Sequence, residues 1–138
     1  MKVHTTNYFN TFIEIAEDCP IVVGEMPVVK GDAQTVATIQ FEKIKANPYK
    51  YTSDDVLFHT FAVKKDLTEA EMAAERTLFF SKGQPCFRAS PLTKRYGWGV
   101  HNNAEGKIAI FAADSEAYQR FSADKSLAHV KGMRSKKA

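Results

Sequence analysis

The residues best suited to chemistry crowd into SPLTKRYGWGVH at 90–101 and the arginine just before it. Arg88, Lys94 and Arg95 supply cations, Ser90 and Thr93 supply hydroxyls, and Tyr96 and Trp98 supply flat apolar surface. His101 adds an imidazole, the side chain that titrates nearest neutral pH. Ser90 before Pro91 reads as an N-cap and a first helical position, so the amides of Leu92 and Thr93 open a helix without partners. Free amides beside cationic side chains are a common way to hold an anion. The expectation is a small anionic ligand over residues 88–101, with His101 as acid or base if the protein is an enzyme.

Each residue also has an ordinary structural role open to it. Lys94 and Arg95 suit a solvated helix face, Arg88 suits an ion pair with a nearby acid, and His101 suits a hydrogen-bonding role beside a loop. His59 falls inside an apolar helical stripe. Cys86, between Pro85 and Phe87, is a nucleophile only if Arg88 or a histidine lowers its pKa; otherwise it is a small packed side chain. A metal is not expected. His4, His59, His101 and His129 are dispersed, and EDC at 17–19 is an isolated cluster without ligand spacing. No cofactor is expected either, because Gly97 and Gly99 precede a strand where a dinucleotide loop would open a long helix.

Elements must hold these residues in place. Alternation in YFNTFIEIAEDCP puts Phe9, Thr11, Ile13 and Ile15 on one strand face, mostly buried, and Tyr8, Asn10, Phe12 and Glu14 on the other. From Asp32, a plausible N-cap, Val36, Ala37, Phe41 and Ile44 share a helical face that Asn47–Pro48 ends, although Ala37, Ile39 and Phe41 also alternate as in a strand. Leu57, Phe58, Phe61 and Ala62 follow Thr52–Ser53 and two acids as an amphipathic helix. Thr68 and Glu71 form a capping box, with Leu67 and Met72 as its staple, for a helix predicted to reach Lys82 and close on a left-handed Gly83. PCFRA reads as short and extended, and Ser115 opens a final helix carrying Tyr118 and Phe121.

Between them, GWGVH and KIAIF flank NNAEG as a hairpin. Centring its loop on residue 104 pairs Trp98 with Ile110 and Val100 with Ile108 on a core face. The reverse face then carries Gly97, Gly99, His101 and Phe111, a strip thin enough for a backbone or a ligand to lie against. The fold class that follows is α+β: a single domain over 1–124, with an antiparallel sheet of about three to five strands and helices packed on one face.

Composition sets the outer bounds. With 138 residues, 44% hydrophobic and 25% charged, the chain is one ordinary globular domain. Cys19 and Cys86 lack paired spacing and read as reduced thiols, and no apolar run is long enough for a membrane span, so the location expected is the cytoplasm. Residues 1–124 hold 14 Lys/Arg against 16 Asp/Glu, whereas 125–138 hold five cations and no acid. This basic tail, expected to be frayed, lacks the aromatic platform of a nucleic-acid reader.

TTNYFNTFIEIAEDCP at 5–20, NPYKYTSDDVLF at 47–58 and FFSKGQPCFRASPLTKRYGWGVH at 79–101 resemble a family of small, chiefly microbial proteins classed as a domain of unknown function. The resemblance covers most of 4–121, stops before the basic tail, and implies no activity, substrate or catalytic residue. Two readings therefore stand. In the first, Arg88, Arg95 and His101 converge on a pocket for a small anionic metabolite. In the second, those side chains diverge and exposed apolar surface, with Tyr49, Tyr51 and Tyr96, serves a protein-interaction or self-association module without catalytic activity.

Overall fold

The computed structural model describes residues 3–28 and 34–135. Within them, strands β1 (Thr11–Glu14), β2 (Trp98–Asn102), β3 (Ile108–Ala112) and β4 (Ala128–Lys131) form one sheet in the order β3-β2-β1-β4. Helices α1 (Val36–Lys45), α2 (Ser53–Lys65), α3 (Met72–Phe79), α4 (Pro91–Lys94) and α5 (Glu116–Ala123) complete the α+β domain.

The hairpin keeps its predicted faces but not its predicted register. Val100 stands opposite Ile110 and Trp98 opposite Ala112, two residues from the expected pairing. Asn103 causes the shift: its Oδ1 accepts from the amides of Glu105 and Lys107, and its own amide donates to the Lys107 carbonyl, with Gly106 left-handed at φ +79°. A two-residue slip preserves the side of every side chain. Trp98, Val100, Ile108 and Ile110 therefore still share a core, joined by Ile13 of β1, Phe41 and Ile44 of α1, Val56 of α2, and Phe87 and Leu92 beside α4.

The other face is covered as well. Phe12 is fully buried there against Tyr118 and Phe121 of α5, so β1 is apolar on both sides and α5 stands apart from the main helical layer. The predicted tail supplies β4, which pairs with β1 in parallel, so the sheet is mixed and the domain runs past residue 124. Lys136 and Lys137 of that tail lie outside the described residues, as does Asp32; the residue that caps α1 is Thr35.

Two further local expectations are corrected. Helix α3 ends at Phe79, and Gly83 is not left-handed. Phe79 and Phe80 turn into a satellite core with Phe58, Phe61 and Ala62, while Ser81 Oγ and Gln84 Nε2 close the carbonyls of Leu78 and Phe79. PCFRA is not extended either, since Phe87–Ala89 winds into a 3-10 turn that buries Phe87.

Candidate functional site

Residues 88–101 spread over the interior and several surfaces. Ser90 and Thr93 are buried. Ser90 Oγ accepts from the Leu92 amide at 3.1 Å, and Thr93 Oγ1 donates to the Phe87 carbonyl at 2.9 Å. Trp98 Nε1 donates to the Glu25 carbonyl, and Tyr96 packs against the main core. Arg88 donates through Nε to the Lys131 carbonyl at 2.6 Å and borders a hollow with Glu17 and Arg134. Arg95 is exposed beside Asp18, Pro20 and Ser135 on a different hollow. Lys94 is half-buried on α4. The structure does not bring Arg88, Arg95 and His101 together.

The glycine strip is occupied from within. A Cβ on Gly99 would lie 2.6 Å from Tyr118 Cε2 and 2.7 Å from Phe12 Cζ. One on Gly97 would lie 2.6 Å from the Ile21 carbonyl oxygen, and Gly97 has φ +79°. What rests against the glycines is α5, Phe12 and the 21–24 loop.

His101 faces the same side of the sheet, stacked on Phe121 at a centroid distance of 4.2 Å. Its Nδ1 lies 2.7 Å from the Tyr49 hydroxyl. Burial pushes the Tyr49 phenol above its usual pKa, so Tyr49 keeps its proton, and its hydroxyl donates to Nδ1 or accepts from it according to the ring tautomer. Burial also draws His101 below the ordinary histidine range, against a smaller opposing pull from Asp124. A neutral ring wedged between aromatic neighbours is a packing element with one hydrogen bond.

The polar groups that do converge lie elsewhere. Helices α1 and α2, the end of α3 and residues 84–91 enclose a cavity of about 320 Å³. Val36, Leu57, Phe61, Phe79 and Pro85 make its walls apolar, and Lys64 stands in its lining. Gln40 reaches it from α1 although the residue is only 2% exposed. Because Ser90 Oγ already accepts from Leu92, its proton goes to Gln40 Oε1 at 2.6 Å. This leaves the Gln40 NH₂ group without a hydrogen-bond partner among the described residues.

Cys86 also lines the cavity, its Sγ 3.4 Å from the Tyr8 hydroxyl. Burial first, then the bond to Cys86, pushes the Tyr8 phenol up to about 12. Tyr8 therefore stays protonated at neutral pH and is no base for the thiol. Among the described residues, no three His, Cys, Asp or Glu side chains group so as to hold a metal ion, and no helix is long and apolar enough to cross a membrane.

A family model matches residues 3–138. The chain belongs to DUF6157, a family of unknown function. The match includes residues 122–138, so the basic segment beyond the earlier resemblance is part of the DUF6157 chain. No curated protein and no solved structure matches it.

Sequence reasoning passed over Gln40 because it is an unremarkable polar residue in a helix. A signal was present for Gln40: it lies three residues after Ala37 and four before Ile44, on the apolar face of α1. A polar side chain there must find partners in the interior, and in this DUF6157 chain only its carbonyl end does.

Proposed function

We propose that the chain binds a small molecule in the Gln40–Ser90 cavity, one with an apolar body and a carbonyl or carboxylate oxygen at its head. The observation that carries this reading is the Gln40 NH₂ group, unpartnered among the described residues, on a residue only 2% exposed in the wall of an apolar cavity. Buried donors seldom go without an acceptor, and ligand sites combine apolar walls with a few such groups. A carboxylate gains from the Lys64 ammonium in the same lining, which narrows the anionic ligand expected from the sequence to an apolar acid. Ala89, Ser90 and Pro91 are the part of 88–101 that lines this cavity.

The site supports binding without turnover, since Cys86 faces the protonated Tyr8 and His101 is engaged on the opposite face of the sheet. Both cysteines are free thiols, which supports a reducing compartment such as the cytoplasm. The test is a thermal-shift titration with the straight-chain acids hexanoate to decanoate. An acid present at about 100 times its Kd adds roughly 2.7 kcal/mol, a rise of about 9 °C for a chain of this length. Gln40→Leu, which keeps the volume and removes the donor, is expected to abolish that rise. No rise with any acid, or an equal rise in Gln40→Leu, refutes the reading.

A further inference from the structure

We infer that the open edge of β3 is a docking groove for an extended peptide segment of a partner protein, which would add to the sheet as a short fifth strand beside Ile110 and Ala112. The argument begins with the alternation of an antiparallel ladder. Neighbouring residues of β3 turn their main-chain groups alternately toward β2 and away from it. Ile108 faces away: its amide donates to the Tyr51 carbonyl, and its carbonyl accepts from the Tyr49 amide, each at 2.9 Å. By the same alternation, the amide and carbonyl of Ile110 and the amide of Ala112 also point outward.

The chain's own 49–51 turn closes the edge at Ile108 and goes no further. Tyr49 is left-handed at φ +59°, and the residue before it, Pro48, has no N–H to give. No described residue bonds the outward groups of Ile110, although Ile110 is only 5% exposed. Main-chain groups that face a groove pair with water or with another chain, and an unpaired strand edge is a template for a further strand.

A groove of about 400 Å³ runs along this edge, lined by Pro48 and Tyr49, by Ser115, the N-cap of α5, and by Ala117. Charge selects the occupant. Two copies joined β3 to β3 would each bring the same cationic Lys45 to the shared edge. A single extended peptide satisfies the edge through its backbone without that repulsion. Lys45 is the charged residue in the lining, its ammonium over the Trp98 ring, so the segment preferred is an apolar one with an acidic side chain.

The test pans a displayed library of random nonapeptides on the full chain, and on Ala117→Phe and Lys45→Glu in parallel. Ala117→Phe fills the groove, whereas Lys45→Glu changes an exposed side chain, losing its contact with the Trp98 ring but no buried side chain. The expected result is an acidic, strand-forming consensus that Ala117→Phe does not enrich and that turns basic on Lys45→Glu. The synthetic consensus peptide should slow hydrogen exchange at the Ile110 and Ala112 amides at least tenfold. It should also lose at least tenfold in affinity when its central amides are N-methylated, and bind Gln40→Leu unchanged. The proposal is overturned by the same enrichment on all three chains, by no enrichment on any, by binding that survives N-methylation, or by protection of both amides in the isolated monomer. A dimer that Ala117→Phe dissolves would assign the groove to a second copy and overturn it equally.

Discussion

Adding one methyl group at Gly99 measures how tightly α5 closes the back of the sheet. In Gly99→Ala the new Cβ meets Tyr118 Cε2 at 2.6 Å and Phe12 Cζ at 2.7 Å. Neither ring moves freely. Phe12 has no exposed surface and is edge-on to Tyr118 at 5.0 Å, while the Tyr118 hydroxyl accepts from the Ile15 amide at 2.9 Å. Overpacking of this kind costs about 1–3 kcal/mol. The loss of glycine's unfolded-state freedom returns about 0.4–1 kcal/mol. The net is a destabilisation of roughly 1–2 kcal/mol, or a midpoint lower by about 3–8 °C at 3–4 °C per kcal/mol for this length. Differential scanning calorimetry reads it directly. Gly83→Ala is the control, because its Cβ meets nothing nearer than His4 Nδ1 at 3.9 Å, and there the entropy term alone should raise the midpoint by about 1–3 °C. Combining Gly99→Ala with Phe12→Leu should cost less than the two changes separately, since the smaller side chain makes room. If Gly99→Ala melts at or above the parent temperature, α5 does not press on the strand and the occupied-strip account is wrong.

Two other perturbations probe the buried polar groups. His101 and His59 are both held below the ordinary histidine range, mainly by burial, with Lys43 contributing at His59. The unfolded chain therefore takes up these protons first, and the stability they contribute is full above the unfolded pKa of about 6.5 and is lost as pH falls through the folded values. Urea midpoints measured from pH 7.5 to 5 should decline, with a shallower decline in His101→Gln; a flat or rising profile would contradict the assignment. Ser90→Ala removes the N-cap of α4 and strands Gln40 Oε1 in the interior, at a cost of about 1–3 kcal/mol. A urea midpoint equal to the parent's would show that the Ser90–Gln40 bond contributes nothing.

The legible parts of this chain were those with local causes. Thr52, Thr68, Ser90 and Ser115 cap helices or begin a capping box where their hydroxyls precede apolar stripes, and the two-sided hairpin follows from alternation alone. Non-local causes defeated the reading elsewhere. Nothing near residues 128–131 announces that their partner is β1, more than a hundred residues away, and charge there pointed toward a solvated tail. The residues of 88–101 disperse for a related reason: closeness in sequence is not convergence, and a 3-10 turn, a one-turn helix and a strand send successive side chains in different directions.

The residues that mark the chain most distinctively turn out to be occupied by the fold. In the 5–20 motif, Thr5 and Thr6 donate to the Asp54 carboxylate, and Asn7 Oδ1 accepts from the Asp54 amide, fastening the N-terminal segment to the start of α2. Asp54 belongs to the second motif, so these two stretches are halves of one clamp. In the third, Ser90 caps, Thr93 ties α4 to the turn before it, Trp98 reaches the Glu25 carbonyl, and Gly97 and Gly99 admit a loop and two rings. Residues whose bonding capacity is consumed internally have little left for a ligand. Among the described residues, Asn102 Oδ1 and Ser122 Oγ are left unpartnered in the interior, and the unfilled capacity that meets open space is at Gln40, whose amide faces an apolar cavity, and at Ile110 and Ala112, whose main chain faces a groove. Function is to be sought at those unfilled donors and acceptors, which lie outside all three motifs.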